Sequence, residues 1–322
     1  QRMAYAVQDK KCRVVMDRLG VANTLRDFWS SITPGNLPNV DQCAKWLSDL
    51  KLPPKWKTAL PLLIRSRTVE VLEESLRRMD GSSAPGDDGI PAKCYQYFSD
   101  FFLPRMEEVF LDLEKGRLIP DDWTRALVRP IPKKQGAIKV EDQRPIALQQ
   151  CKMKWAMTVI LVQIEDAYAQ LIPPQQKAYV KGRCMEDHLI SVSATWAQHL
   201  SEGISDAWIA IDYSKAYDSV NHALLEALLI YVGMPAFMVA ICLQVMRGEV
   251  FFLVGRLPVL EIPLKPQSGI RQGDPLSPLI FVLLASLLIY VKEFKQCDFW
   301  LYSDDSFIRV EAKSTELKAF VS

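Results

Sequence analysis

Three aspartates stand in this sequence where chain physics gives them little reason to be. Asp212 closes the apolar run Trp208-Ile209-Ala210-Ile211, and Asp304-Asp305 separate the aromatic and aliphatic segments Phe299–Tyr302 and Phe307–Val310. Carboxylates gathered at the end of a sheet repel one another, and their joint ionisation calls for a compensating cation. Two divalent ions about 4 Å apart would supply that charge and, in a phosphoryl transfer, clamp both the attacking and the leaving oxygen. Mg²⁺ takes hard oxygen ligands together with substrate phosphates, so it suits a set with no neighbouring His or Cys, and Mn²⁺ is its natural substitute. Each feature also has a plainer reading. A single aspartate at a strand end is often structural, and adjacent aspartates in a turn often serve turn geometry.

The elements that would deliver these groups can be read from periodicity. Val69, Leu72, Leu76 and Met79 share one face of a helix over about 68–79, which stops at Gly81-Ser82-Ser83. A helix over 101–115 ends at Gly116, and a strand over 126–131 is closed by Pro132. Helices over 151–171 and 187–200 follow, with Gly203 beyond the second. A buried strand over 208–212 carries Asp212 at its tip. The pattern then predicts helices over 219–231 and 235–247, strands over 249–254 and 259–264, and an apolar helix over 278–292. Last comes a hairpin, 299–302 with 307–310, turning through 303–306. Strands and helices without regular βαβ alternation predict an α+β fold. Residues 1–65 alternate apolar clusters with Pro-rich breaks at 34–38 and 53–61, and read as a helical lead-in with no recognisable chemistry.

Longer motifs surround the carboxylates. Tyr302-Ser303-Asp304-Asp305 is a Tyr-x-Asp-Asp unit, and Asp212 lies within Ala210-Ile211-Asp212-Tyr213-Ser214-Lys215-Ala216-Tyr217-Asp218-Ser219-Val220-Asn221-His222. Between them comes Gly269-Ile270-Arg271-Gln272-Gly273-Asp274-Pro275-Leu276-Ser277-Pro278. Upstream stand Ala84-Pro85-Gly86-Asp87-Asp88-Gly89-Ile90, Arg144-Pro145-Ile146-Ala147-Leu148 and the segment Gln176 to Asp187. In this order, over about 68–310, they resemble the motifs of reverse transcriptases. The Arg-Gln-Gly-x-Pro-Leu-Ser-Pro form resembles the non-LTR (LINE-type) retrotransposon branch more than intron-encoded or retroviral relatives.

The resemblance implies a right-hand polymerase with fingers at 66–205 and palm at 206–322, its antiparallel sheet backed by helices at 219–231 and 278–292. It implies RNA-directed DNA synthesis: extension of a DNA primer 3′-hydroxyl with dNTPs on an RNA template. Asp212 and Asp304 would hold two Mg²⁺ ions, Asp305 would complete the metal site, and the backbone carbonyl of Tyr213 would be a further ligand. Tyr217 would lie beneath the sugar of the incoming nucleotide, and Gln272 and Gly273 would line its pocket. Lys133 and Arg144 would reach the triphosphate as permanent charges aimed at an anion. Gly269, Arg271 and Tyr302 would contact template and primer. A flanking endonuclease domain and an intracellular, nuclear setting are implied by the family alone.

Other readings stay open. Arg271 and Asp274 could simply pair and cap the following helix. Asp218 reads better as a cap for a helix starting at Ser219 than as a metal ligand, and Asp87 and Asp88 as a turn beside Gly86 and Gly89. His188, His199 and His222 lie on helical stretches and are not expected to be ligands or bases. The Trp residues are packing groups or, for some of them, stacking platforms for bases. Ser303 stands where relatives usually carry Ala, Asp87 stands where they carry Pro, and the interval from Pro278 to Tyr302 looks shorter than in most. The start at Gln1 and the end at Ser322 predict a fragment that stops before a Lys near the leaving pyrophosphate and before the helical thumb. Two rival functions remain: a weakly catalytic, retroelement-derived RNA-binding remnant, and an RNA-dependent RNA polymerase. The bulk of Tyr217 against a ribose 2′-hydroxyl argues against the second.

Bulk properties set outer limits. A chain of 322 residues buries roughly 75% of its unfolded surface. Its 49% hydrophobic and 24% charged residues are those of an ordinary globular protein, and a net charge of +1 neither requires nor excludes a nucleic-acid partner. The seven cysteines are scattered and never spaced C-x-x-C, as expected of thiols in a reducing compartment. The longest apolar run, Leu279 to Val291, falls short of the roughly 20 residues that span a bilayer, so no membrane partner is expected.

Overall fold

A computed structural model describes residues 6–32, 37–204, 206–255 and 257–311. The lead-in holds a small ribbon, β1 (Val7–Gln8) with β2 (Val14–Val15), and the helices α1 (Arg18–Ser30), α2 (Val40–Asp49) and α3 (Lys55–Leu63). Next come α4 (Val69–Arg78), α5 (Ala92–Tyr97), α6 (Ser99–Glu114), β3 (Ala126–Pro132), β4 (Gln143–Gln149), α7 (Cys151–Leu171) and α8 (Glu186–Glu202). The remainder is β5 (Asp206–Asp212), α9 (His222–Tyr231), α10 (Ala236–Arg247), β6 (Val250–Val254), β7 (Leu257–Pro258), α11 (Ser277–Ser286), β8 (Cys297–Tyr302) and β9 (Asp305–Glu311). The fold is mixed α and β, as the sequence pattern predicts.

Helix α7 is apolar on nearly every side. Met153, Trp155, Ala156, Met157, Val159, Ile160, Val162 and Ile164 are all buried, so it forms the axis of the main core. The Trp155 indole N–H donates to Ser75 Oγ at 2.9 Å, which tethers α4 to this axis. Leu47, Trp56 and Leu60 of α2 and α3 are fully buried in that same core, beside residues of α9 and α10. In α1, Val21, Leu25 and Trp29 pack with Val128, Ala147, Val250 and Phe252 in a second core. The lead-in is thus built into the body of the molecule.

Two larger sheets carry the motifs. One has the order β4-β3-β6-β7, with β3 antiparallel to β4 and parallel to β6. It therefore draws strands from both sides of the 205/206 boundary. The other, β5-β9-β8, is antiparallel throughout. On one face Phe299, Leu301, Ile308 and Val310 pack against Leu288, Ile289 and Phe294. These come from 3₁₀ turns after α11, whereas α9 belongs to the main core. On the other face Trp208 stacks with Trp300 at 5.4 Å and with Phe307 at 5.3 Å. Trp196 of α8 covers them, and the Trp300 N–H reaches Ser191 Oγ at 3.0 Å.

Local expectations needed four corrections. The helix expected from 219 starts at His222, because the Asn221 side chain accepts from the N–H groups of Ala223 at 2.6 Å and Leu224 at 3.2 Å. No strand forms over 259–264. Leu264 and Val250 exchange two 2.9 Å bonds as an isolated bridge, and Pro263 lacks the N–H a ladder would need. Helix α11 ends at Ser286 and continues as 3₁₀ turns. The final hairpin turns through two residues, Ser303 and Asp304, with Tyr302 paired to Asp305. Among the described residues no helix is long and apolar enough to cross a membrane.

Candidate active site

The antiparallel pairing of β5 with β9 sets Asp212 directly opposite Asp305, and the tight turn holds Asp304 beside them. Asp212 and Asp305 are exposed and Asp304 is half-buried. Among the described residues none of the three carboxylates has a hydrogen-bond or ion-pair partner. The turn itself is well held. Ser303 has φ +56°, a left-handed value that costs a non-glycine residue about 1 kcal/mol or more. Its N–H donates to the side-chain oxygen of the buried Gln176 at 3.1 Å, and that oxygen also takes the Ala178 N–H at 3.0 Å. Residues 175–177 run along β8, with Leu301 N–H on Gln175 O at 2.9 Å and Lys177 N–H on Leu301 O at 3.0 Å.

The facing wall is the β3–β4 hairpin. Its register sets Arg144 opposite Ile131, and Lys133 N–H closes the end on Asp142 O at 2.8 Å. Both cationic side chains are exposed, and neither side chain forms a hydrogen bond or ion pair among the described residues. Lys133, Arg144, Asp212, Tyr213, Tyr217, Gln272, Gly273 and Asp304 all line one cleft of about 750 Å³. The Tyr217 ring is half-buried and stacks on Phe281 of α11 at 4.8 Å and 14°, so it is both a core aromatic and a cleft wall. Burial, and then Tyr179 and Asp304 nearby, push its phenol pKa well up.

The loop 268–276 forms the floor and is bolted on both sides. Ala147 N–H donates to Gln272 O at 2.7 Å, Ile270 N–H to Tyr217 O at 2.9 Å, and Gly269 N–H to Val220 O at 2.7 Å. Gly273 has φ +110°, and a Cβ there would lie 2.7 Å from Ala147 O, so only glycine allows this approach. Asp274 accepts from Leu276 N–H at 2.9 Å and Ser277 N–H at 3.2 Å, capping α11, and from Gln149 Nε2 at 3.0 Å. Arg271 makes no ion pair with it. Its guanidinium is turned inward, 6% exposed, and donates to Gly248 O at 2.8 Å. Burial pulls its pKa down to about 10, against the opposing pull of Asp274. Arg271, with Gly269 and Tyr302, lies outside the lining of the cleft, and contact of Arg271 with a template would require its side chain to leave that interior position.

Asp218 is not a helix cap. Its two carboxylate oxygens face Trp29 Nε1 at 3.4 Å and Gln272 Nε2 at 3.5 Å, and burial raises its pKa. Lys215, with φ +53°, donates to Glu141 O at 2.6 Å and sits 5.0 Å over the Phe28 ring. Burial, and then Lys133, lower its pKa. Tyr179, Lys215 and Gln176 were not singled out by the sequence reading. Tyr179 and Lys215 reach the cleft through left-handed backbone, which residue types do not announce. The histidines serve structural bonds: His188 to Leu301 O at 3.0 Å, His199 to Asp206 at 2.8 Å, and His222 to Gly269 O at 2.8 Å. Asp87 and Asp88 shape their turn by accepting from Gln150 Nε2 at 2.5 Å and Ile90 N–H at 3.1 Å.

As a donor set for a hard cation, three unpaired carboxylates at one sheet end are suitable, being oxygen ligands alone. Among the described residues no three Asp, Glu, His or Cys groups already converge as a chelate, so bound ions and a triphosphate would have to draw these side chains together.

A family model described as reverse transcriptase (RNA-dependent DNA polymerase) matches residues 131–322, which include all three carboxylates, Lys133 and Arg144. The Transposon TX1 uncharacterized 149 kDa protein of Xenopus laevis is 29% identical over 217 residues, covering 67% of this chain and 16% of that protein. The retrovirus-related Pol polyprotein from type-2 retrotransposable element R2DM of Drosophila melanogaster is 28% identical over 222 residues, covering 68% and 20%. The Pol polyprotein from type-1 retrotransposable element R2 of Popillia japonica is 26% identical over 214 residues, covering 62% and 27%. The chain thus spans between 16% and 27% of the length of these curated relatives.

Proposed function

Because this chain belongs to the reverse transcriptase (RNA-dependent DNA polymerase) family, we propose that it carries the RNA-directed DNA polymerase centre of a non-LTR retrotransposon protein. The fingers would comprise 66–205 and the palm 206–322. One observation carries the reading: Asp212 of β5 and Asp304 of the β8–β9 turn line a single cleft with Lys133 and Arg144 of the β3–β4 hairpin, neither cation in an ion pair among the described residues. That is the charge layout a nucleoside triphosphate requires.

Asp212, Asp304 and Asp305, with the Tyr213 carbonyl, would hold two Mg²⁺ ions, which when bound offset the charge on the attacking and leaving oxygens. The chain's own residues do the positioning. Arg144 and Lys133 bind the triphosphate oxygens, Gln272 and Gly273 form the nucleotide pocket, and Tyr217 lies against the sugar and excludes a 2′-hydroxyl. A primer 3′-hydroxyl then attacks the α-phosphorus, a new P–O bond forms, and pyrophosphate departs. RNA template, DNA primer and dNTPs are the partners this reading requires.

Primer extension by the full-length protein on an RNA template tests it. Extension with dNTPs that stops on chelation of divalent cations is expected. Preferential use of rNTPs would instead indicate an RNA polymerase, and RNA binding without incorporation a non-catalytic remnant.

A further inference from the structure

The lead-in reaches the nucleotide site through neighbouring side chains of α1: the Phe28 ring lies under Lys215, and Trp29 meets Asp218. Trp29 is 9% exposed, stacked on Phe252 at 5.6 Å and held edge-on by Phe28 at 5.3 Å. Its helix is fixed in turn: the Asp17 side chain caps it through Gly20 N–H at 2.7 Å, and Val21 and Leu25 are buried against the β3-β6 sheet. From this anchored position the indole N–H points at one oxygen of Asp218, while the other oxygen faces the side-chain amide of Gln272. The Asp218 main chain is itself pinned, with Ser268 Oγ on its carbonyl at 3.1 Å and Gly269 packed against it.

We propose that Trp29, acting through Asp218, positions the side chain of Gln272, which makes the lead-in part of the nucleotide site. This rests on the polymerase reading above. The chemistry is that of donor and acceptor matching. An ionised carboxylate only accepts, so Asp218 must be met by the NH₂ end of the Gln272 amide, and the carbonyl end is then left for the cleft. With the Gln272 main chain locked to Ala147, Asp218 decides the rotation of the amide, and Trp29 decides the rotamer of Asp218. Contacts of 3.4 and 3.5 Å are long, as catalytic hydrogen bonds often are before a substrate tightens them. Burial raises the pKa of this carboxylate, and the Trp29 and Gln272 donors with the charges of Lys215 and Lys133 oppose that rise and favour the ionised form.

The test is a double-mutant cycle on Trp29 and Gln272 in the full-length protein, read as KM and kcat for dNTP in primer extension. Trp29→Phe keeps an aromatic ring on Phe252 and removes the indole N–H together with part of the buried ring. It should raise KM roughly three- to tenfold, the effect of about one hydrogen bond, with kcat little changed and a modest fall in melting midpoint from the lost ring volume. In a Gln272→Ala background the same change should have no further effect, because nothing remains to be oriented. An unchanged KM in Trp29→Phe, a fall in melting midpoint alone, or effects that add fully in the double variant would overturn the proposal while leaving the polymerase reading intact. Failure of the wild-type protein to extend any primer would remove that reading, and this proposal with it.

Discussion

Arg144 brings a permanent charge to a cleft in which it forms no ion pair among the described residues. A guanidinium with free donors in the same cleft as Asp212 and Asp304 suits an anion that arrives with divalent cations. Arg144→Ala should therefore raise the KM for dNTP roughly tenfold or more, the size of a lost charged hydrogen bond, with the melting midpoint unmoved. Arg144→Lys should recover only part, since a point charge cannot reproduce the planar fork; equal nucleotide kinetics in Arg144→Ala would remove the residue from the site. The role proposed for Tyr217 is one of bulk. Its ring is fixed on Phe281, so a 2′-hydroxyl would meet a wall that cannot retreat, at about 1–3 kcal/mol, or roughly five- to 150-fold in discrimination. Tyr217→Val should raise rNTP use relative to dNTP, and Tyr217→Phe should not. If Tyr217→Val lowered activity with both nucleotide types equally, the ring would be core packing and nothing more. At this scale the sequence was most informative about the aspartates, because a carboxylate amid apolar residues announces itself. It was least informative about Lys215 and Tyr179, whose access to the cleft depends on a positive φ.

The loop 268–276 works by proximity to its neighbours more than by its side chains. Gly273 lets it touch β4 where a Cβ would sit 2.7 Å from the Ala147 carbonyl, at a φ of +110° that L side chains rarely adopt. Gly273→Ala should cost about 1–3 kcal/mol and also push Gln272 away from the cleft. Activity should then fall even at temperatures where the variant is fully folded. A variant that is destabilised yet keeps wild-type nucleotide kinetics would separate the loop from the site. Elements with strong periodicity or uniform apolarity, such as α7 and β5, were legible in the sequence. Those decided by tertiary pairing were not. The parallel β3–β6 contact joins segments more than a hundred residues apart and leaves no local signal. The apparent strand at 259–264 is undone by Pro263, and the start of α9 moved because Asn221 was a better-placed cap than Asp218.

The lead-in reads in sequence as helical with no recognisable chemistry, and in the structure its apolar residues complete the main core. Trp56 is fully buried and meets Tyr290 edge-on at 5.6 Å. Trp56→Ala should destabilise the protein by about 3–5 kcal/mol, seen as a lower denaturant midpoint; a change under about 1 kcal/mol would mean that the lead-in packs only loosely on the body. Sequence could not show this, because burial of an isolated apolar cluster depends on partners far along the chain. What sequence did show, the ordered spacing of the motifs from Arg144 to Asp304, brings residues of each motif into the lining of one cleft that holds charges of both signs. The central claim is that the carboxylates at the ends of β5 and the β8–β9 turn carry nucleotidyl transfer. It is tested most directly by the single-turnover rate of dNTP addition to a primer on an RNA template, comparing wild type with a folded Asp304→Asn full-length protein in Mg²⁺. The account predicts a loss of a thousandfold or more, about 4 kcal/mol of transition-state stabilisation; addition at near the wild-type rate would contradict it.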